Sequence, residues 1–131
     1  MEGKRKILLI DDEKDFCFFV KNNLELTNEF TVTYATDPTK GIEIAKKEHT
    51  DLVLLDIHMP QMEGSDVAVV LKSDPKTRNI PIIFLTAVVT QEETGREGIR
   101  EIGGQNFIAK PVDTETLASC IKIRLGQKKE R

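Results

Sequence analysis

Cysteine is scarce in this 131-residue chain, which holds two, Cys17 and Cys120. They share no CxxC spacing and have no histidine neighbours, so neither a redox pair nor a thiolate metal site is signalled. Both lie inside helix-like patterns and read as small core residues. No charge of one sign prevails either: 19 basic against 22 acidic side chains leave a net charge of −3. That excludes a global field drawing the molecule to nucleic acid or to an anionic membrane, and any partner must be recognised locally. Long apolar runs are missing as well. Ile7 to Ile10 and Val67 to Leu71 fall far short of the roughly 20 residues that span a bilayer. Met1-Glu2-Gly3-Lys4-Arg5-Lys6 leads directly into a strand-like run with no signal-peptide core, so the expected location is cytoplasmic. The sequence has no internal repeats and no low-complexity tracts.

What is present is an alternation. Five short runs rich in branched aliphatic residues, Arg5–Ile10, Thr31–Ala35, Leu52–Leu55, Ile82–Leu85 and Asn106–Ile108, read as strands. Helix-like segments separate and follow them, which predicts an α/β domain whose parallel sheet is covered on both faces. The length fits one domain, and a hydrophobic content of 39% suffices for its core. The domain is expected over 1–125, with 126–131 as a polar tail or the start of a linker. Helix starts are legible at Asp37-Pro38, at Thr90 with Glu93 three positions on, and at Asp113. Helical spacing marks three inward faces: Phe16, Phe19, Val20 and Leu24; Val67, Val70 and Leu71; Leu117, Cys120, Ile121 and Leu125. The fourth helical segment offers only Gly95, Gly98, Ile99 and Ile102. Its two glycines, at about 1 kcal/mol each, make it the least stable helix.

In an open parallel sheet, ligands bind beyond the carboxyl ends of the strands. There the sequence places Asp11-Asp12 after the first strand, Asp56 after the third, Thr86 after the fourth and Lys110-Pro111 after the fifth. Taken singly, each has an ordinary reading as a solvated helix start, a polar strand end or a turn. Together they bring three carboxylates, a hydroxyl and an ammonium to one edge. Carboxylates that close repel one another, and a divalent cation relieves the repulsion. Oxygen donors without a histidine cluster select a hard ion, and Mg²⁺ commonly combines one or two carboxylates with a phosphate oxygen. A carboxylate also serves as a nucleophile toward a phosphoryl group, with Lys110 and the metal offsetting charge and Thr86 donating a hydrogen bond.

Asp11-Asp12, Asp56-Ile57-His58-Met59-Pro60-Gln61-Met62-Glu63-Gly64, Thr86-Ala87 and Lys110-Pro111 resemble the signature of bacterial response-regulator receiver domains, over nearly the whole chain. The resemblance implies a flavodoxin-like (βα)5 fold, doubly wound, with a five-stranded parallel sheet of order 2-1-3-4-5 and helices on both faces. It implies a phosphorelay role with Asp56 as phospho-acceptor and a histidine kinase or histidine phosphotransfer protein as donor. Mg²⁺, or Mn²⁺ in its place, is the implied cofactor. By position, Asp12 is a direct metal ligand and Asp11 a ligand through water. Asp56 and the backbone carbonyl of His58 are further ligands, and Thr86 and Lys110 contact the phosphoryl group. Phe107 stands where the family has an aromatic switch residue, commonly Tyr, and lacks the hydroxyl. Phosphorylation is then expected to draw Thr86 inward and let Phe107 fill the space, repacking the surface of the fourth helix, fifth strand and last helix. The side chain of His58 is expected either to reach the phosphoryl group or to face solvent.

No turnover of an outside substrate is expected. A Mg²⁺-dependent aspartyl phosphatase resembles Asp-x-Asp-x-Thr, and the second Asp position is here His58. A flavin or nucleotide binder on this fold would want a Gly-, Ser- or Thr-rich loop after the first strand, where Asp11-Asp12-Glu13 would repel phosphate. A purely structural pseudo-receiver would lack part of the acidic triad or the lysine, and this chain has them all. Within the family, the favoured reading is a stand-alone receiver acting on a downstream protein, as a monomer or a phosphorylation-promoted dimer. The alternative is the excised N-terminal receiver of a larger regulator with a DNA-binding or enzymatic output domain.

Overall fold

Strands that are apolar at every position are stable only where both faces of the sheet are covered. β3 (Leu52–Asp56) and β4 (Ile82–Thr86) are buried along their whole length, and β1 (Arg5–Ile10) over its last four residues. β2 (Phe30–Ala35) flanks β1, and β6 (Gln105–Ala109) flanks β4. The structure, a computed structural model, describes residues 4–86, 100–102, 105–110 and 113–129. Five strands run parallel in the order β2-β1-β3-β4-β6, the doubly wound arrangement that the sequence predicts.

A sixth strand, β5 (Arg100–Ile102), pairs antiparallel with β6 and forms an edge of the sheet. This corrects the expectation of a helical Ile102, which pairs with Gln105 instead. The sequence between the two strands is Gly103-Gly104, a dipeptide suited to a two-residue hairpin connection, and Ile is a good strand former. Gly95, Gly98 and Ile99 of the expected helix, and the expected cap at Thr90 and Glu93, lie outside the described residues.

Side chains alternate across a strand, so the sheet supports two cores. α1 (Lys14–Leu26) and α4 (Thr114–Lys129) cover one face, packing Cys17, Val20, Leu24, Leu117, Cys120 and Ile121 with Leu9, Leu54 and Leu85. α2 (Pro38–Lys47) and α3 (Gly64–Ser73) cover the other, setting Ala45, Val67 and Leu71 with Leu8, Leu55 and Phe84. Each fully buried leucine contributes about 2 kcal/mol by leaving water. α2 starts as expected, with Asp37 Oδ1 accepting the Thr39 N–H at 2.9 Å and Pro38 in the first turn. Asp113 likewise caps α4, accepting the Thr116 N–H at 2.7 Å.

One inward face needs correction. Phe19 is 54% exposed, and the inward face of α1 is carried by Cys17, Val20 and Leu24. Those positions recur at i, i+3 and i+7, whereas Phe19 falls on the flank. α4 continues to Lys129, so the segment expected as a polar tail or the start of a linker begins in helix. No described helix is long and apolar enough to cross a membrane.

α1 also closes an edge. Ala35 turns its carbonyl toward the β1 side, accepting the Asp11 N–H, so the alternate residue Val32 directs its N–H and C=O outward. Glu25 Oε2 accepts that N–H at 2.9 Å, and Lys21 Nζ donates to that carbonyl at 2.8 Å. The two side chains are themselves paired at 2.9 Å.

Candidate functional site

Four parallel strands deliver their carboxyl ends to one edge, and each brings a polar residue there. Past β1, Asp11 is fully buried and donates its N–H to the Ala35 carbonyl at 3.1 Å. Its Oδ1 accepts the Glu13 N–H at 2.9 Å, which turns the chain into α1. Cys17 donates its thiol to the Asp11 carbonyl at 3.3 Å from beneath. Asp56, the last residue of β3, is 6% exposed. The turn after it folds back so tightly that the Gly64 N–H bonds the Ile57 carbonyl at 2.7 Å. A Cβ on Gly64 would lie 2.3 Å from the Asp56 carbonyl oxygen and 2.8 Å from Ile57 Cα, so only glycine fits. Thr86, buried at the end of β4, accepts the Lys110 N–H on its carbonyl at 2.9 Å, which fixes the start of the Lys110 side chain.

The side chains converge. Carboxylate oxygens of Asp11, Asp12 and Asp56 all lie within 4.8 Å of one another. Lys110 Nζ stands 3.0 Å from Asp11 Oδ2, 3.3 Å from Glu13 Oε1 and 3.7 Å from Asp56 Oδ1. It also lies 4.5 Å from the centre of the Phe16 ring, a cation–π contact. Burial, then the Asp11 charge, pushes the Asp56 carboxyl from its ordinary 3.8 up to about 6, with Asp12 adding to the effect. Lys110 and the His58 N–H oppose that rise without cancelling it. Burial likewise holds Asp11 above the usual carboxylate range, against its bonds to Glu13 and Lys110. For Lys110, burial works against the charge, yet Asp11, Asp56 and Glu13 outweigh it and raise the ammonium. Among the described residues one ammonium stands beside these acids and does not neutralise them, so the deficit is positive charge.

The donor set fits a hard cation. It offers oxygens only, because the Cys17 thiol, pushed up by burial to about 12, keeps its proton. The His58 ring also stays out of the cluster. It is 64% exposed, with Nδ1 3.4 Å from Glu63 Oε1, so of the two expected orientations the structure has the solvent-facing one. Phe107 stacks on Phe84 with ring centres 5.2 Å apart and planes 22° apart. The register sets Phe84 opposite Phe107 and Thr86 opposite Ala109, so the Thr86 and Phe107 side chains share one face of the sheet.

Asp11, Asp12, Asp56, Thr86 and Lys110 are brought to this edge, Phe107 lies two residues before the end of β6, and the His58 ring faces solvent. Sequence reasoning missed Glu13 and Phe16 as partners of Lys110, and the steric demand at Gly64. The signal for Gly64 was its place in the motif after Asp56. Nothing local marks the two Lys110 contacts, which join distant segments.

Residues 7–122 match the family model described as "Response regulator receiver domain". The chain is 34% identical over 125 residues to a "Probable cyclic di-GMP phosphodiesterase" of Vibrio cholerae, covering 95% of this chain and 27% of that protein. It is 27% identical over 122 residues to the "Polar-differentiation response regulator DivK" of Brucella ovis, covering 93% of this chain and 97% of that one. The chain thus spans under a third of one relative and nearly all of the other. The crystal structure of a response regulator from Desulfuromonas acetoxidans superposes with a TM-score of 0.77 at 28% identity, covering 94% of this chain and 98% of that one. With the fold, the acidic edge and the matched residues in agreement, the chain belongs to the response-regulator receiver domains of two-component signalling.

Proposed function

We propose that Asp56 accepts a phosphoryl group from a phosphohistidine on a histidine kinase or histidine phosphotransfer protein. The observation that carries this is the convergence of three carboxylates within 4.8 Å beside the Lys110 ammonium. An Asp56 carboxylate oxygen forms the new O–P bond, the donor N–P bond breaks, and its electron pair returns to the imidazole ring. Asp11, Asp12, Asp56 and the His58 carbonyl would hold Mg²⁺, or Mn²⁺ in its place, which when bound supplies positive charge beside the phosphoryl oxygens. Lys110 donates its ammonium to one of those oxygens, starting from 3.7 Å of Asp56. Thr86 turns its hydroxyl toward another, vacating space on the face it shares with Phe107.

Phe107 then moves inward from its stack on Phe84, and the surface around β6 and α4 presents a changed contact to a partner. The output is this contact rather than turnover of an outside substrate. His58, directed at Glu63, offers no second carboxylate of the kind an aspartyl phosphatase would need. The DivK relative, matched along 97% of its length, supports a receiver that acts on a separate protein. The phosphodiesterase relative supports the alternative, a receiver joined to an output domain. Incubation with Mg²⁺ and acetyl phosphate, followed by intact mass, tests the core of the proposal. The parent should gain one phosphoryl group and Asp56→Asn none; equal gain in both would remove Asp56 as acceptor.

A further inference from the structure

Lys110 has more partners than its task at Asp56 requires. Its ammonium is closer to Asp11 Oδ2, at 3.0 Å, and to Glu13 Oε1, at 3.3 Å, than to Asp56 Oδ1, at 3.7 Å. Among the described residues its two hydrogen bonds go to Asp11 and Glu13, and Asp56 stands beyond hydrogen-bond distance, so the ammonium rests nearer those two carboxylates than the acceptor. Asp11 is fully buried, belongs to the three-carboxylate group and is tied by its other oxygen to the Glu13 N–H. Glu13 differs on each count. Its side chain is 65% exposed and lies outside that group. It also occupies the N-cap position of α1, where a side chain ordinarily accepts a backbone N–H, yet it makes no capping bond and reaches to Lys110 instead. Its backbone N–H is held by Asp11 Oδ1, which fixes where the side chain begins.

We infer that Glu13 is a positioning residue that holds the Lys110 ammonium toward the rim of the site and competes with Asp56 for it, restraining phosphoryl transfer until the pair opens. The inference rests on Asp56 as the acceptor. Glu13 acts through Lys110 and by contact, so its influence depends on reach as well as charge. Glu13→Gln removes the charge, and Glu13→Asp keeps the charge on a stem one methylene shorter, which withdraws it from Lys110. Both should speed phosphorylation by roughly two- to fivefold, the size that an exposed ion pair commands.

The test measures the rate at which Asp56 gains mass from acetyl phosphate at saturating Mg²⁺, together with the Lys110 Nζ resonance in metal-free protein. Glu43→Gln on the exposed side of α2 serves as a control with the same charge change. The inference holds if both Glu13 variants are faster than the parent, Glu43→Gln is not, and the Lys110 resonance moves only in the Glu13 variants. Parental rates in Glu13→Gln would overturn it. So would a parental rate in Glu13→Asp beside a fast Glu13→Gln, because charge alone would then be acting. A parent that gains no mass would count against Asp56 as acceptor instead. In that event an unmoved Lys110 resonance would still refute the contact, and a moved one would uphold it.

Discussion

Asp51 and Asp56 stand at opposite ends of one strand, and the protein treats them in opposite ways. Asp51, just before β3, accepts the Lys6 N–H at 2.8 Å on one oxygen and meets His49 Nε2 at 2.8 Å on the other. Burial works against its charge, but those partners outweigh it and hold the carboxyl below its ordinary range. Asp56, closing β3, is buried against two further acids, and its carboxyl rises to about 6. At the amino end of the strand the protein supplies what a carboxylate needs, and the group serves as a structural tie. At the carboxyl end it withholds part of that supply, leaving a demand for positive charge that folding alone does not meet.

The largest expected effect that would break this comparison is on phosphorylation. Asp56→Asn should abolish the mass gain from a small phosphodonor, and Asp51→Asn should leave its rate at the parental value. If a folded Asp51→Asn also failed to gain mass, the two ends of the strand would not differ in the way described. Next comes the support under Asp56. Gly64→Ala should cost about 2–4 kcal/mol in urea unfolding, because the new Cβ meets backbone rather than a side chain that can swing aside. A loss below half a kcal/mol would show that the turn relaxes.

The pH dependence of metal-free stability sharpens the contrast, since the two carboxylates predict opposite slopes. The Asp56 value is raised on folding from 3.8 to about 6, so the native state holds its proton more tightly than the unfolded chain. Its contribution is fully present below about pH 4 and is lost as pH rises through about 6, at most about 3 kcal/mol in all. Asp51 is lowered on folding, so its contribution is present above its ordinary value and is lost as pH falls through the folded one. Asp56→Asn should therefore flatten the profile between about pH 4 and 6, and Asp51→Asn should flatten it at lower pH. Saturating Mg²⁺ should stabilise the parent more at pH 8 than at pH 5. An unchanged profile in Asp56→Asn would remove the stored repulsion. The smallest effect is the tie itself: Asp51→Asn should cost about 1–2 kcal/mol near neutral pH, through weakened bonds to Lys6 and His49.

Much of this was legible before any coordinates. The strands announce themselves because both faces of a parallel sheet must be apolar, and a polar residue after such a run is conspicuous. Asp11, Asp56, Thr86 and Lys110 stand out for that reason. The caps at Asp37 and Asp113 are equally local. What escaped notice depends on three-dimensional fit. Phe16, Phe18 and Phe19 fan around α1, and hydropathy alone favours Phe19 as an inward residue. The space beneath the Asp11 carbonyl is instead filled by Cys17, which also finds a hydrogen-bond acceptor there. β5 is three residues long, too short for an alternation to declare itself, and its signal is the following Gly103-Gly104. The meeting of Lys110 with Glu13 and Phe16 joins segments far apart in the chain, and no local periodicity encodes it.

The Lys21–Glu25 pair on α1 has a bearing on how this domain meets its own kind. A sheet border with open main-chain groups is a template on which an identical molecule can lay its own strand, the first step toward tangled or fibrous aggregates. At Val32 both groups are occupied by side chains, so an intruding backbone would have to evict an ion pair before forming its first bond there. An identical molecule approaching along this border therefore finds no open main-chain partner at Val32.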